Sequence, residues 1–269
     1  MSFSNIALGN YYPARSPIHS LDPRFKIVAL AGLMMATFLI DCPGGVGLHS
    51  AAIAAAIVLS GVPVPVFLRG LRVFAILFLF TAVLHLFFTP GTPVLEITAP
   101  VTISITSEGI TRGLLISWRL ITVIALSSLL TYTTTPLSIT RGLEAMLTPL
   151  KRVKFPVQDF SLMMMIAIRF IPVLTGETER VWKAQRSRGA DPGRGGLRAR
   201  SRVLMSVILP VFIGLFRRAD ELALALEARG YRPGMERTAM YPLSWRGRDF
   251  AATVIIVLWA AGVLLLTRG

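Results

Sequence analysis

The chain has 269 residues, 54% of them hydrophobic and 16% charged, with a mean hydropathy of +0.65, which excludes an ordinary soluble domain and points to a membrane protein. Its net charge of +14 is unevenly placed: residues 141–248 hold 20 of the 28 Lys and Arg and 9 of the 14 Asp and Glu, so one long segment is basic and aqueous. The single cysteine, Cys42, excludes an intrachain disulfide and a multi-cysteine metal cluster.

The first residues, MSFSNIALGNYYPARSPIH, lack the basic start and apolar core of a cleavable signal, so the first spanning helix is expected to stay in place. Leu21-Asp22-Pro23 supplies a helix start: the acid suits the cap, the proline the first turn, and Arg24 the cytoplasmic headgroups. Three apolar runs follow, predicting spans at about 24–41, 46–61 and 73–89, each near the ~20 residues that a crossing helix needs. Cys42-Pro43-Gly44-Gly45 separates the first two, and the short basic stretch from Phe67 to Arg72 reads as a turn at headgroup level. Residues 90–109 alternate apolar residues with Thr and Ser and read as extended chain or a β-hairpin. A fourth span is expected at about 112–132 and a last one within 249–269.

Short loops rich in Lys and Arg stay cytoplasmic. Arg15, Arg24 and Lys26, then Arg69 and Arg72, then the basic segment after span four give one consistent orientation, with the N-terminus cytoplasmic. The domain plan is thus an N-terminal membrane part over 1–135 with four spans, a cytoplasmic region over 136–248, and a last span over 249–269.

Within 136–248, Leu162–Leu174 and Val203–Phe216 are apolar runs of 13 and 14 residues, lengths that suit buried or interfacial helices better than crossings. Each holds a proline, Pro172 or Pro210, expected to kink it. Each then turns polar and finishes alike: AQRSRGADPG at 184–193 and ALEARGYRPG at 225–234, 41 residues apart. A helix C-terminus explains Gly189 and Gly230 in the left-handed conformation, with Pro192 and Pro233 blocking continuation. It does not explain a small residue before arginine in both copies, Ser187-Arg188 and Ala228-Arg229. A small residue beside an arginine lets a helix tip enter a groove with the guanidinium as its anchor.

Together SPIHSLDPRFKIVAL, TTTPLSITRGLEAMLTPL, AIRFIPVLTGETERVWKAQRSRG and ALEARGY resemble the transmembrane T component of energy-coupling factor transporters, a branch of the ATP-binding-cassette importers, over almost the whole chain. The resemblance implies an all-α integral membrane protein with long amphipathic coupling helices. It places Ser187, Arg188, Gly189 and Ala228, Arg229, Gly230 in grooves of two ABC ATPase subunits. It also implies a platform for a substrate-binding S component, with Met163, Met164, Met165, Leu209 and Phe212 as candidates. ATP and Mg would be bound by the partner ATPases, and this chain would carry no cofactor, metal or active site. The N-terminal stretch looks more like the shared T components serving vitamin-specific S components than those dedicated to cobalt or nickel. Serine at 187 departs from the family's alanine and adds a hydroxyl that needs a partner.

The residues agree by what they lack: no G-x-x-x-x-G-K-[ST] phosphate loop is present, and His19, His49 and His85 fall on different elements. A lipid-headgroup enzyme in the membrane, the rival from another class, would need clustered acids, and Asp22, Asp41, Glu96 and Glu108 are scattered. A passive membrane anchor leaves the duplicated ending unexplained. Arg119 lies inside the fourth span, where an ionisable residue is a functional candidate by default; a structural role, on backbone carbonyls or His85, is the favoured reading. Arg169, before Pro172, is expected to serve carbonyls freed at the kink. The link GRGGLRARSR at 193–202 lacks interleaved aromatics, so it suits anionic headgroups and not nucleic acid.

Overall fold

Among the described residues proline opens four of the nine α-helices, because at the first turn its missing N–H has no partner to lose. These are α1 (Pro23–Leu39), α2 (Pro43–Leu59), α3 (Val64–Val73), with Pro65 in its first turn, and α6 (Pro136–Leu147). The others are α4 (Ala75–Phe88), α5 (Ser107–Thr133), α7 (Val157–Ser187), α8 (Leu197–Ala228) and α9 (Gly247–Arg268); β1 (Pro93–Thr98) and β2 (Thr102–Thr106) join α4 to α5. The computed structural model describes residues 11–98, 102–153, 156–190, 196–234 and 243–268. The first ten residues, Pro192 and residues 193–195 of the basic link therefore lie outside the described residues. Among the described residues the regular structure is helical apart from one antiparallel hairpin, in which Glu96 pairs with Ser104 and Ile97 with Ile103.

Two compact units divide the chain. One contains 11–135 with 243–269. Its interior is thin: Ile53, Ala125 and Leu126 are buried among Leu30, Leu33 and Met34, and Val62, Phe67 and Tyr132 form a second cluster. Most large apolar side chains face outward instead, among them Ile76 at 81% and Phe88 at 78% exposure, the distribution of a helix surface solvated by lipid and not by water.

Phe67–Arg72 is helix, not the turn read from its charges. Phe67 is the reason: on this amphipathic helix it alone is buried, edge-on to Tyr132 with ring centroids 5.0 Å apart, while Arg69 and Arg72 stay on the outer side. The chain then bends by 57° between α3 and α4, so the third apolar run begins as a helix at an angle to the rest.

Close approach of α4 to α5 depends on two glycines. A Cβ at Gly109 would lie 2.9 Å from the His85 carbonyl oxygen, and one at Gly113 would lie 3.2 Å from that of Ala82. This Gly-x-x-x-Gly spacing lets two helix backbones touch where lipid provides no hydrophobic drive for association.

Buried polar groups tie the ends of α1, α5 and α9. Asp22 caps α1 by accepting from the Arg24 N–H at 2.8 Å. Asp249, 2% exposed, accepts from the Asp22 N–H at 2.7 Å and the Arg246 N–H at 2.8 Å. Lys26 donates to the Thr133 carbonyl at 3.0 Å, where α5 ends and the negative end of its dipole lies.

The other unit contains 136–242. In it α6 packs on the start of α7, where buried Ser161 donates to Glu144 at 2.6 Å. Helix α7 continues without interruption through Pro172, and α8 through Pro210. Among the described residues, α5 and α7 are each long and apolar enough to cross a membrane, and α3 with α4 form a third if the bent pair is one span. That α7 qualifies differs from the sequence expectation for Leu162–Leu174, because its apolar run is continuous with a 31-residue helix.

Candidate functional site

The repeated endings are two helix tips of one shape. Arg188 closes α7 with φ −87° and ψ 8°, and Arg229 closes α8 with φ −87° and ψ 7°. The next residues, Gly189 at φ +87° and Gly230 at φ +75°, are left-handed, a conformation that a side chain would strain.

The hydrogen bonds match in kind. The Gly189 N–H donates to Arg186 and that of Ala190 to Gln185; the Gly230 N–H donates to Glu227 and that of Tyr231 to Leu226. Each tip thus carries both bonds of a Schellman cap, which satisfy carbonyls that the helix leaves open. With the backbone closed on itself, Ser187, Arg188, Ala228 and Arg229 are all exposed, and a Cβ added at either glycine would meet nothing within 4 Å beyond its chain neighbours. Such a tip can present one guanidinium to a groove without an unmet backbone group beside it.

The Ser187 hydroxyl has a local partner: it donates back to the Lys183 carbonyl at 3.1 Å. Serine therefore resembles alanine in what it shows to a neighbour.

The chain beyond the second tip is held where α7 begins. Tyr231 Oη donates to Asp159 Oδ1 at 3.0 Å, and the Gly234 N–H to Asp159 Oδ2 at 3.2 Å. The end of α8 thus lies beside the start of α7, and the two helices run antiparallel. Between these ends, Arg218 of α8 donates to Glu177 of α7 at 3.2 Å, and Arg180 meets the same Glu177 oxygen at 3.1 Å. Sequence reading singled out neither Asp159 nor Glu177; the signal for Glu177 was its distance of 41 residues from Arg218, the offset of the repeated endings.

Of the platform candidates, Met163, Met164, Leu209 and Phe212 are exposed and Met165 is half-buried. Leu209 and Phe212 belong to a broad apolar face of α8 that also carries Met205, Ile208, Ile213 and Phe216, each more than half exposed. Arg169 is exposed on α7. The structure does not bring the platform candidates and the tips to one point: on α7 Met163 and Arg188 are 25 residues apart, about 37 Å of helix.

Among the described residues, no three His, Cys, Asp or Glu side chains gather as a metal site. His49 is fully buried in the first unit, where Thr37 Oγ1 donates to the Leu33 carbonyl and so accepts from His49 Nε2 at 3.0 Å. It is a packed residue between Trp118 and Trp259.

The family model described as cobalt transport protein (CbiQ) matches residues 14–240. The chain is 45% identical over 262 residues to the energy-coupling factor transporter transmembrane protein EcfT of Heliobacterium modesticaldum, covering 97% of this chain and 96% of that protein. It is 41% identical over 269 residues to the protein of the same name from Thermanaerovibrio acidaminovorans, covering 100% and 99%, and 36% identical over 262 residues to that of Bacillus subtilis, covering 97% and 98%. Matches of this extent, over nearly the whole chain, show that the chain belongs to the CbiQ/EcfT family, the transmembrane components of energy-coupling factor transporters.

Proposed function

We propose that this chain is the non-catalytic scaffold that transmits ATP hydrolysis in two ABC ATPase subunits to a substrate-binding S component, for uptake of a vitamin or other micronutrient. One observation carries the reading: two tips with the same cap geometry, each with an exposed arginine, end the two long helices of a single unit. A single cap needs glycine and a cation. Two copies that also repeat the small residue and the backbone angles suit two equivalent receptors.

In this reading Ser187, Arg188 and Gly189 enter one ATPase groove, and Ala228, Arg229 and Gly230 the other. ATP and Mg are bound by those partners. The apolar face of α8 with the methionines of α7 takes the S component, whose own pocket selects the solute; methionine adapts its shape to a moving contact. In this reading the N-terminus, Arg69, Arg72 and the two arginine tips lie on the cytoplasmic side of a prokaryotic cell membrane, the side on which short loops rich in Lys and Arg stay.

The test uses the complex purified from membranes with its partners. Arg188→Ala with Arg229→Ala is expected to release both ATPases and abolish ATP-dependent uptake while the chain still inserts. Truncating one anchoring arginine costs about 2 kcal/mol or more, roughly thirty-fold in affinity, so each single variant also loses ATPase on washing. Full uptake by the double variant would sink the coupling role.

A further inference from the structure

Two different alignments relate α7 to α8. Pro-Val-x-x-Gly occurs at Pro172–Gly176 and again at Pro210–Gly214, 38 residues later, whereas the arginine tips repeat at 41 residues. In antiparallel helices the difference between facing residues changes steadily along the pair, so any one offset is met at a single place. The place where Glu177 and Arg218 join at 3.2 Å is the one that carries the offset of the tips, 41 residues.

Glu177 therefore stands to Arg188 as Arg218 stands to Arg229. Each precedes its tip by eleven residues, about three turns and 16 Å, so pivot residue and tip arginine lie close to one helix face. Because the helices run antiparallel, the two tips lie on opposite sides of this contact, at the ends of arms of equal length.

We propose that the Glu177–Arg218 pair is the pivot of the coupling unit, a positioning contact that keeps the two arms in register so that a displacement imposed at one tip is matched at the other. The proposal rests on the coupling reading above. The pair is partly exposed, at 27% for Glu177 and 40% for Arg218, so its contribution to stability is small and its removal leaves the helices folded. What it supplies is a fixed crossing point, eleven residues from each tip.

The experiment uses the complete transporter in liposomes and compares Glu177→Gln, Arg218→Gln and the exchanged pair Glu177→Arg with Arg218→Glu. In each, ATPase retention, ATP hydrolysis and solute uptake are measured. The single variants should keep the ATPases and hydrolyse ATP within two-fold of wild type, yet take up about ten-fold less solute per ATP, a coupling loss of ordinary size. The exchanged pair should recover at least half of the ratio, with Arg180 turning to solvent. Unchanged uptake per ATP in the singles, loss of the ATPases from them, or an exchanged pair no better than either single would overturn the pivot. A wild-type chain that retains no ATPase would overturn the coupling reading itself, and the pivot with it. Spin labels at Ser187→Cys and Ala228→Cys, in a Cys42→Ser background, report the arms without any transport assay. One narrow distance that broadens with Glu177→Gln is expected, and an unaltered distribution counts against the proposal.

Discussion

Arg119 Nη2 lies 2.7 Å from Asp41 Oδ1 and also donates to the carbonyls of Phe38 at 3.1 Å and Ile40 at 3.3 Å. An arginine within the fourth apolar run thus closes the end of α1, supplying a cation where that helix leaves its last carbonyls open. His85, the neighbour that sequence spacing suggested, instead donates to the Thr81 carbonyl inside its own helix at 2.9 Å. The two partners of the ion pair are unequal: the Arg119 side chain is 20% exposed and that of Asp41 is 79% exposed. Arg119→Ala should therefore cost about 2 kcal/mol, since it strands carbonyls as well as the pair. Asp41→Asn should cost about 0.5 kcal/mol or less, as for other exposed pairs. Thermal unfolding in detergent checks the order, and equal losses would contradict an arginine whose main partners are carbonyls.

The glycines of α5 make a sharper test, because a glycine of α1 provides the control. Adding a methyl group at Gly109 brings it within 2.9 Å of the His85 oxygen and 3.1 Å of the Leu86 oxygen, so backbone must move. Gly109→Ala should destabilise by about 1–3 kcal/mol, the usual result of overpacking. Gly32, exposed on α1 with nothing within 4 Å, should accept alanine with no loss or a gain of up to about 1 kcal/mol. If the two variants melt alike, α4 and α5 are not in backbone contact.

Ser187→Ala distinguishes a tip that uses its hydroxyl from one that merely tolerates it. The hydroxyl is engaged with the Lys183 carbonyl, and the corresponding residue of the second tip is Ala228, which has none. ATPase retention and uptake should stay within about two-fold of wild type, less than one hydrogen bond is worth. A ten-fold loss would place the hydroxyl in the partner's groove.

Much of this architecture was legible because its signals are local. Asp22-Pro23 announces a capped start, alternating Thr and Ser over 90–109 announces the hairpin, and Gly189 and Gly230 announce the tips. The contacts that join elements were not legible, since they link distant residues of unremarkable type: Asp249 reaches the Asp22 N–H across 227 positions, and Lys26 reaches Thr133 across 107. The α3 helix was misread for a different reason. A short stretch with two arginines reads as a turn, yet Pro65 fits a first turn, and burial of Phe67 against Tyr132 decides the conformation. Glu177–Arg218 falls between these cases, visible once the 41-residue offset is applied to charges as well as to the endings.

Lys26 carries the last prediction, because it is the cation of a buried junction. It is 8% exposed, and its ammonium donates to the carbonyls of His19 at 3.3 Å and Thr133 at 3.0 Å and to Thr134 Oγ1 at 3.3 Å. Buried Asp22 and Asp249 lie at the same end of the unit, so removing the cation leaves two carboxylates without it and strands the last carbonyls of α5. Lys26→Met, which keeps the length of the side chain, should lower stability by about 3 kcal/mol. Lys183→Met removes a cation of the opposite kind, 72% exposed and 2.9 Å from Glu179 one turn away, and should change stability by no more than about 0.5 kcal/mol. The two are compared by thermal unfolding of the same detergent-solubilised protein. A Lys26→Met chain as stable as the Lys183→Met chain would mean that α1, α5 and α9 are held together by their apolar faces alone, and that the buried charges at their ends contribute nothing to joining them.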